Sequence, residues 1–571
     1  MENQTVKTPW KDYLGDVPMH LNYFEGTMFD AVAAIADKYP DNVAFDFMGK
    51  STTYRELVRR IEVCARSLRT LGIRENDKVT IAMPNCPQAI YMFYAVNLVG
   101  GIANMIHPLS AEKEIHFYLT ESDSVAAITL DQFYGKVERA REGTRVNNLI
   151  ISSIADALSP VMKVGYALTQ GRKVEKLPKA APVIRWKEFL ALSKLTGEPR
   201  VDRPADAPAV ILYSGGTTGT TKGIQLSNRN FNALALQTIA ASGYPSIAGM
   251  KMLSVMPIFH GFGLGIGIHT ALIGGASCIL VPQFSIKTYA DILRKRKPDF
   301  IPGVPTLFEA LLRAESLKTA DLSFLKGIFC GGDSLSPELK KKVDAFLQAH
   351  NCAEQIREGY GTTECVTASC LTPKAYAREG SIGVPYPDTF YKIVQVGTTD
   401  EVKALTEGEI CISGPTVMVG YMDNPEETAQ TLQQHADGKL WLHTGDLGFM
   451  DSDGFVYFKQ RIKRMIISSG YNIHPSQLEN IIDSHEKVLL SCVIGIPDDY
   501  KGQRLRAYIV PAPGVEPSDA LQQELQSYCA QRIARYAMPK EFIFRTELPK
   551  TLVGKVAYRV LEEEAAKEAQ R

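Results

Sequence analysis

Residues 213–223 read YSGGTTGTTKG and lie between a strand-like segment, AVILY, and a helix-like segment, NRNFNALALQ. The glycines let the backbone turn sharply, so that successive N–H groups can point at one anion. Serine and threonine hydroxyls add hydrogen-bond donors, and Lys222 adds a positive charge. Because Lys222 follows a threonine and precedes a glycine, the segment is not a Walker A loop. Its composition predicts a phosphate-binding loop directly after a buried strand.

Strand and helix patterns alternate through the first half of the chain. A helix is predicted to begin after Thr53, because Glu56 three residues later completes a capping box and Gly72 suits the C-terminal end. The buried strand KVTIAM follows, and then the helical segment QAIYMFYAVNLVG. Repeated strand–helix units of this kind predict a parallel sheet covered by helices.

The pattern changes in the second half. Segments such as KIVQV and GEICIS, between about residues 394 and 422, predict an antiparallel or barrel-like section. The basic stretch QRIKR begins at Gln460, and the strand and helix patterns beyond it predict a separate α+β unit. The predicted fold is therefore α/β, with a large N-terminal domain (residues 1–460) of helix-covered sheets plus a barrel-like β section. A small, mobile α+β C-terminal domain (residues 461–571) follows it.

The composition excludes several classes of protein. Of the 571 residues 45% are hydrophobic, and 63 Lys and Arg balance 63 Asp and Glu. This balance is incompatible with wholesale disorder and argues against nucleic-acid binding. The ten cysteines show no zinc-type spacing among themselves or with histidines, which predicts reduced, partly buried thiols. The start, MENQTVKTPWKDYLGD, has no apolar segment, so a cytoplasmic location without a secretory signal is expected.

Residues 252–286 contain no Asp, Glu, Lys or Arg, a length that could formally span a membrane. Two prolines and several glycines divide this run, so we predict buried strands (LSVMPI and SCILVP) flanking an apolar helix instead. The segment GFGLGIG lacks the spacing of a dinucleotide fingerprint and is interpreted as glycine-assisted packing beside an acyl pocket. His260, just before it, is equally compatible with a core histidine and with a residue of the substrate site.

Further segments accompany the loop in a fixed order. They are CGGDSL from Cys330, EGYGTTE from Glu358, HTGDLG from His443, QRIKRMI from Gln460 and PKTLVGK ending at Lys555. Together these motifs resemble those of the adenylate-forming superfamily of acyl-CoA synthetases, adenylation domains and luciferases. The N-terminal half, with PWKDYLGDVP and a basic insert, is most like that of long-chain fatty-acid–CoA ligases.

Members of this superfamily join a carboxylate to AMP with ATP and Mg²⁺, and then pass the acyl group to a thiol such as coenzyme A. The resemblance implies that the loop holds the β- and γ-phosphates through Ser214, Gly215, Gly216, Thr217, Thr218, Gly219, Thr220 and Lys222. It implies that Tyr360, Gly331 and Gly332 contact the adenine, and that Asp333, Gly361 and Thr362 beside them belong to the cofactor-binding site, although the family often has a small residue in place of Asp333. Thr363 is implied to donate to the α-phosphate, and Glu364 to bind Mg²⁺ and assist catalysis.

The C-terminal motifs imply the remaining roles. Asp446 would accept both ribose hydroxyls, and Arg461 would contact the ribose and phosphate region. Lys555 would bridge the substrate carboxylate and the α-phosphate, where negative charge concentrates during attack. Lys463 would be the pivot about which the C-terminal domain rotates between half-reactions, and Gly470 would line the path of the pantetheine. Considered without the motifs around them, Lys463 and Lys555 would be interpreted as surface charges and Asp446 as a turn residue.

Two features favour a medium- to long-chain fatty acid as the substrate. The uncharged run 252–286 could line an apolar tunnel, and residues 159–189 form a basic, partly apolar segment that suits an anionic membrane surface. Peripheral contact with the inner membrane face is therefore an expectation, and an exposed connecting loop is the alternative. Two other functions stay open at this stage: a fatty-acyl-AMP ligase that loads an acyl carrier protein, and a non-catalytic, membrane-associated fatty-acid binding protein. The sequence is also compatible with a homodimer.

Overall fold

The computed structural model describes residues 6–174, 177–178, 181–213, 221–468, 471–498, 501–551 and 556–569. The predicted phosphate-loop residues 214–220 lie outside the described residues, as do Gly470 and Lys555. The described part of the chain forms four β-sheets with helices packed on them.

The strands, in chain order, are β1 (Val43–Phe47), β2 (Lys50–Thr53), β3 (Lys78–Ala82), β4 (Ile102–Met105), β5 (Ala126–Leu130), β6 (Asn148–Ser152), β7 (Ile184–Arg185), β8 (Pro208–Tyr213), β9 (Gly223–Ser227), β10 (Lys251–Ser254), β11 (Ser277–Leu280), β12 (Phe300–Gly303), β13 (Gly327–Cys330), β14 (Ile356–Tyr360), β15 (Cys370–Leu371), β16 (Val384–Pro385), β17 (Phe390–Val394), β18 (Gly408–Ser413), β19 (Gly420–Tyr421), β20 (Leu432–Gln434), β21 (Leu440–Met450), β22 (Val456–Arg461), β23 (Ile466–Ser468), β24 (Tyr471–Ile473), β25 (Val488–Asp498), β26 (Gly502–Pro511) and β27 (Glu541–Phe544).

The α-helices are α1 (Met28–Lys38), α2 (Tyr54–Thr70), α3 (Pro87–Leu98), α4 (Glu112–Glu121), α5 (Tyr134–Ala140), α6 (Ile154–Ala157), α7 (Pro160–Leu168), α8 (Trp186–Leu192), α9 (Asn228–Ala241), α10 (Ala271–Ile273), α11 (Ile286–Arg296), α12 (Pro305–Arg313), α13 (Pro337–Ala349), α14 (Pro425–Thr431), α15 (Pro475–Asp483), α16 (Asp519–Ala530) and α17 (Tyr558–Ala569).

Two large, mostly parallel sheets form the N-terminal part. One has the strand order β16-β15-β14-β13-β12-β10-β11-β1-β2, and the other β19-β9-β8-β4-β3-β5-β6-β7. In the first sheet β10, β12, β13 and β14 are parallel neighbours, so their carboxyl ends meet at one edge. Ligands of open α/β sheets bind outside the carboxyl ends of such strands. This edge therefore carries the segments that follow β10, β13 and β14.

The helices pack on these sheets through apolar faces that the sequence marks clearly. Helix α2 begins with the predicted capping box: the Glu56 N–H donates to Thr53 Oγ1 at 3.2 Å, and the Thr53 N–H donates to Glu56 Oε2 at 3.1 Å. Its apolar face, Leu57, Ile61, Ala65 and Leu68, is fully buried in the main core. Burying each large apolar side chain is worth about 1.5–3 kcal/mol, which outweighs the weak intrinsic stability of an isolated helix.

The uncharged run folds as predicted, with one difference. Strands β10 and β11 flank a buried helical segment, but its first part, Phe262–Thr270, has π-helical rather than α-helical hydrogen bonding. Close backbone contact requires glycine at its start, since a Cβ atom on Gly261 would lie 1.7 Å from the carbonyl oxygen of Val366. Glycine-assisted packing is therefore confirmed. No helix among the described residues is both long and apolar enough to cross a bilayer.

The third sheet is antiparallel and has the order β17-β18-β21-β20, with β22 paired to β21. It confirms the antiparallel section that the sequence predicts, although it extends beyond residue 422 to Arg461. One strand is additional to those predicted, and one interpretation is wrong. Strand β9 begins directly after Lys222, precedes helix α9, and pairs with β8. Asp446 does not lie in a turn after a strand, because β21 continues through it with a shift in register opposite Glu409 and Cys411.

The fourth sheet contains only residues that follow Arg461. Its order is β24-β23-β26-β25, with β27 on β26, and α15, α16 and α17 complete this part of the chain. It has two apolar cores of its own, distinct from the main core. The large N-terminal α/β domain and the smaller α+β C-terminal domain are therefore present. All ten cysteines lie in the described part of the chain, and each is buried and unpaired.

Candidate active site

The two glycine-containing motifs lie side by side at the carboxyl edge of the first sheet. Cys330, the last residue of β13, is the register partner of Glu358 on β14, so the segments that follow the two strands are neighbours. A Cβ atom on Gly331 would lie 3.0 Å from the carbonyl oxygen of Gly359. The two motifs in which the sequence predicts adenine contacts, about 30 positions apart in the chain, are thus neighbours in the structure.

A buried carboxylate connects this edge to the third sheet. The Tyr360 hydroxyl donates to Asp446 Oδ2 at 2.5 Å, and Arg461 Nε lies 2.9 Å from Asp446 Oδ1. Asp446 and Arg461 are also register partners on β21 and β22, and Arg461 Nη1 donates to the carbonyl oxygen of Thr444 at 3.1 Å. Burial and the neighbouring Asp446 raise the pKa of the Tyr360 hydroxyl well above its usual value. The arrangement places a carboxylate, paired with Arg461, where vicinal hydroxyl groups can donate to it.

A second set of contacts connects Glu364 to Lys222. Glu364 lies in the short 3₁₀ helix Thr363–Cys365, and its Oε1 accepts a hydrogen bond from the Tyr421 hydroxyl at 3.0 Å. The Lys222 ammonium group lies 4.9 Å from the centre of the Tyr421 ring and forms an ion pair with Glu427. Burial and the nearby Glu364 raise the pKa of the Tyr421 hydroxyl. A carboxylate that suits Mg²⁺ and a cation that suits phosphate are therefore brought to one place.

Sequence analysis missed Tyr421 and Glu427, which complete this set. Tyr421 forms part of the two-residue strand β19, which pairs with β9 next to Lys222. Glu427 lies in the first turn of α14, whose N-cap is Asn424. An Asn-Pro-Glu-Glu start of a helix is visible in the sequence, but nothing in the sequence indicates that this helix begins beside Lys222.

A strained turn follows Glu364. Val366 has φ +65° and ψ −57°, and the Thr367 N–H donates to the Cys365 carbonyl oxygen at 2.8 Å, which closes a γ-turn. A β-branched residue in this region is a genuine outlier, and such strain concentrates at functional sites. Gly361 permits the turn, because a Cβ atom there would lie 2.3 Å from the Thr367 carbonyl oxygen. The turn therefore packs the backbone directly after Glu364 against Gly361, three residues before it.

His260 and an apolar cavity occupy the other side of the same edge. His260 is half-buried, and its Nδ1 accepts a hydrogen bond from the Phe262 N–H at 3.1 Å. The nearby cavity is lined mainly by Phe262, Ile266, Phe329, Ala368, Leu371 and Tyr386, together with Gly331 and Gly332. Its volume is about 30 Å³, which is room for one or two water molecules. The uncharged run thus lines an apolar cavity, but a narrow one.

The remaining predicted residues are positioned as follows. Thr362 is buried beside the turn, where its N–H donates to Cys365 Sγ at 3.2 Å, and Thr363 follows it. Asp333 is exposed and accepts a hydrogen bond from the Ser334 N–H at 2.9 Å. Lys463 is exposed in the single-turn 3₁₀ helix Ile462–Arg464, which connects the third sheet to the fourth.

Comparison with known protein families gives two matches. The sequence model of the AMP-binding enzyme family matches residues 32–422, and that of the AMP-binding enzyme C-terminal domain matches residues 477–555. The first match covers the large sheets, Tyr360 and Glu364, and the second covers strands β25, β26 and β27 of the fourth sheet and ends at Lys555.

Curated relatives match over nearly the whole chain. A long-chain-fatty-acid–CoA ligase of Bacillus subtilis is 34% identical over 97% of this chain and 98% of its own length. A protein of the same name from Salmonella typhimurium is 30% identical over 98% of this chain and 99% of its own length. A 4-coumarate–CoA ligase-like protein of rice, Oryza sativa subsp. japonica, is 30% identical over 93% of this chain and 91% of its own length.

Solved structures share the fold. An anthranilate–CoA ligase, AuaEII, in complex with anthranoyl-AMP superposes with a TM-score of 0.82, covering 98% of this chain and 100% of that one at 23% identity. ATP-bound MatB from Rhodopseudomonas palustris superposes with a TM-score of 0.78 over 95% and 100%, also at 23% identity. On the extent of the family match and of the relatives, this chain belongs to the AMP-binding enzyme family.

Proposed function

We propose that the protein is an AMP-forming acid–thiol ligase that activates a medium- to long-chain fatty acid with ATP and transfers the acyl group to coenzyme A. The observation that carries the proposal is the convergence of two polar sets, Tyr360–Asp446–Arg461 and Lys222–Tyr421–Glu364, beside one apolar cavity. The first set suits a nucleoside and the second suits metal-bound phosphates. The names of the relatives support the choice of acid and thiol.

In the first half-reaction a carboxylate oxygen of the acid attacks the α-phosphorus of ATP, and the bond to the β-phosphate oxygen breaks. Asp446 accepts from the ribose hydroxyls, and Arg461 offsets charge beside them. Glu364 holds Mg²⁺, which when bound neutralises charge on the phosphates. Thr363 donates to the α-phosphate, Lys222 and residues 214–220 hold the departing pyrophosphate, and Tyr360 with its neighbouring glycines positions the adenine.

The adenylation role of Lys555 is tested by separating the two half-reactions. Lys555→Ala should lower the rate of acyl-AMP formation by about 10²–10³-fold, the typical loss for one charge-stabilising group. Supplied with preformed acyl-AMP, the variant should keep most of its thioester formation. Lys550→Ala, which removes a lysine earlier in the same PKTLVGK segment, is the matched control. An equal loss of both half-reactions in Lys555→Ala would overturn this assignment.

In the second half-reaction the thiol of coenzyme A attacks the acyl carbonyl carbon and AMP leaves. One small site cannot easily hold Lys555 and an incoming thiol together, so the C-terminal domain rotates between the steps. The exposed Lys463 lies in the only turn of backbone between β22 and β23 in the described chain, which suits a pivot. For Gly470, which lies outside the described residues, the family resemblance supports a role in leaving room for the pantetheine after that rotation.

Two substitutions test the rotation. Lys463→Pro fixes φ near −65° and should stop thioester formation while sparing adenylation, whereas Lys463→Ala should spare both. Gly470→Leu should obstruct the pantetheine, again sparing adenylation. Acyl-AMP and acyl-CoA are measured separately, with a thermal melt for each variant. Retention of both activities in Lys463→Pro and Gly470→Leu, or loss of both without a change in melting, would contradict the proposal.

The fatty-acid preference is supported by the apolar cavity beside the reacting edge. Every added methylene group that enters an apolar site contributes about 0.8 kcal/mol. Because the cavity is narrow, a long chain has to displace side chains such as Phe262 and Ile266. His260 lies two residues before Phe262, which lines the cavity, and this position supports a role for His260 in the substrate site. The rice relative makes an aromatic acid the alternative outcome of a substrate panel.

We also propose that the protein contacts a membrane surface peripherally, and the exposed side chains of helix α7 support this contact. Val161, Val164 and Leu168 lie on one face of this helix and are 82%, 61% and 57% exposed. Lys163 in the same helix and Arg172 just beyond it are also exposed. An apolar face with basic neighbours suits the surface of an anionic bilayer, into which fatty acids partition.

Vesicle co-sedimentation tests this contact. The wild type should bind phosphatidylglycerol-containing vesicles more than phosphatidylcholine vesicles, and added salt should weaken binding. Val161→Asp/Val164→Asp should abolish it, whereas Leu195→Asp, at an apolar residue that is 72% exposed elsewhere, should not. Equal binding by all variants would exclude α7 as the contact. Homodimer formation stays a prediction, which analytical ultracentrifugation tests.

A further inference from the structure

Three strands of the third sheet bring together a thiol and two imidazole rings, away from the carboxylate that suits Mg²⁺. Cys411 on β18 and His443 on β21 are register partners, and His435 directly follows β20. The Cys411 sulfur and one nitrogen of each ring all lie within 4.8 Å of one another. We propose that Cys411, His435 and His443 form a binding site for a zinc-like transition-metal ion.

The two rings already face one another. His435 Nε2 and His443 Nε2 are 3.0 Å apart. Two nitrogen ligands at about 2.0–2.1 Å from a tetrahedral zinc ion are separated by about 3.3 Å. A shift of a few tenths of an ångström therefore lets both nitrogens reach one ion, and the Cys411 sulfur lies within 4.8 Å of the ring nitrogens.

His443 is oriented for this role by a carboxylate. Its Nδ1 lies 2.9 Å from Glu409 Oε2, so the ring donates there and keeps its Nε2 lone pair towards His435. Metal-binding histidines are commonly oriented by a carboxylate in this way. The other oxygen, Glu409 Oε1, accepts from the Gly445 N–H at 2.9 Å. The site is thereby joined to the stretch of β21 that carries Asp446.

His435 is enclosed and has hydrogen-bonding capacity to spare. Its ring stacks on Trp441 with a centroid separation of 5.5 Å, and its Nδ1 is buried without a hydrogen-bond partner in the described chain. Lys392 and Asp437 form an ion pair beside the Trp441 ring: the Lys392 ammonium group lies 4.5 Å from the ring centre, and the Trp441 indole N–H donates to Asp437. The alternative to a metal site is a hydrogen-bonded imidazole pair that only packs.

The donor set determines the class of ion. One sulfur and two imidazole nitrogens favour zinc and related transition metals over Mg²⁺ and Ca²⁺, which prefer oxygen. The Cys411 thiol loses its proton when the sulfur binds, so one proton is released for each ion bound. Three protein ligands leave a fourth position for water.

Cobalt titration of the full-length, chelator-treated protein tests the proposal, because Co²⁺ reports its own ligands by absorption. We expect saturation at one Co²⁺ per chain, a thiolate-to-cobalt charge-transfer band, and displacement by one equivalent of Zn²⁺. Cys411→Ser should remove the band, and His435→Gln should weaken binding by at least about tenfold. Cys529→Ala, at a buried cysteine of the C-terminal domain, should retain the band.

Thermal melts add a readout that does not depend on activity. Zn²⁺ should raise the melting temperature of the wild type and of Cys529→Ala, but not that of Cys411→Ser. Circular dichroism establishes whether each variant is folded. If His435→Gln does not fold, the isosteric variant Cys411→Ser alone tests the site. Absence of saturable Co²⁺ binding, or a charge-transfer band that persists in Cys411→Ser, would overturn the proposal and leave the packing role.

Discussion

The half of the site in which we propose that the nucleotide binds and the half proposed for the acid are held in different ways. Tyr360, Asp446 and Arg461 are joined by direct polar contacts between two sheets, and the carboxylate between them is only 1% exposed. The acid-facing half is a narrow cavity between the π-helical segment Phe262–Thr270 and the ends of β13 and β14, closed by apolar packing. The first half is preorganised, whereas the second has to open. Changes in the first half should therefore alter rate for every acid, and changes in the second should alter the choice of acid.

The largest expected effect comes from breaking the preorganised half. Asp446→Ala removes the carboxylate that pairs Arg461 and accepts from Tyr360, and leaves both without that partner. We expect kcat/KM for ATP to fall by about 10²–10³-fold, by a similar factor for every acid. Asp400→Ala, at an exposed aspartate near the same sheet, is the control. A loss of kcat/KM that depends on acid chain length would contradict the separation of the site into two halves.

The pH dependence of stability that Glu358 contributes tests whether its carboxyl group, at the edge between the two halves, is buried. Burial raises the pKa of its carboxyl group to about 7, from an ordinary value of 4.5. The fold thus favours the protonated form, so the stability contributed by Glu358 is fully present below pH 4.5 and is lost as pH rises to about 7. We expect the free energy of unfolding of the wild type to fall relative to that of Glu358→Gln over this range, by an amount of the order of 3 kcal/mol.

Chemical unfolding at several pH values, with Glu401→Gln as an exposed control, measures this difference. A constant difference between wild type and Glu358→Gln across the range would mean that the carboxyl group is solvated.

The sequence predicted the preorganised half far better than the other. Ordered motifs identified Tyr360, Asp446 and Arg461, because charge and hydrogen bonding require particular residue types at particular places. The capping box at Thr53 is equally local and was also predicted. The left-handed conformation of Val366 and the π-helical bonding after Gly261 could not be predicted, since both result from tertiary packing. For the same reason, the distance of 24 residues between Cys411 and His435 carried no zinc-type signal.

A substitution within the cavity should sharpen the comparison by changing chain-length preference alone. Ile266→Trp fills space that the acyl chain would enter, whereas Ile266→Leu conserves volume and should behave like the wild type. Each methylene group excluded should cost about fourfold in kcat/KM, because it contributes about 0.8 kcal/mol. Acids shorter than the obstruction should react normally. Competition assays with a series of saturated acids measure the profile, and a uniform loss across the series would place the acyl chain elsewhere.

The smallest expected effect concerns Glu427, which pairs with Lys222 where we expect phosphate to bind. Lys222 has to exchange this partner for phosphate oxygen, so Glu427→Gln should lower the KM for ATP. Because the pair is partly exposed, at 18% and 34%, the gain should be about two- to fivefold. Glu426→Gln, at the exposed neighbouring residue, should leave KM unchanged. An increased KM in Glu427→Gln would instead assign Glu427 to the binding of ATP.

We propose that this chain couples adenylation of a fatty acid to thioester formation. The most direct measurement is release of pyrophosphate and formation of acyl-CoA with ATP, Mg²⁺ and coenzyme A, over saturated acids of increasing length together with benzoate and 4-coumarate. We predict acid-dependent pyrophosphate release, stoichiometric acyl-CoA, and a kcat/KM that rises over at least several carbons. Faster reaction of acetate, benzoate or 4-coumarate than of dodecanoate would contradict the fatty-acid assignment. Acyl-AMP that accumulates without acyl-CoA would contradict the acceptor, and absence of acid-dependent pyrophosphate release would contradict the claim itself.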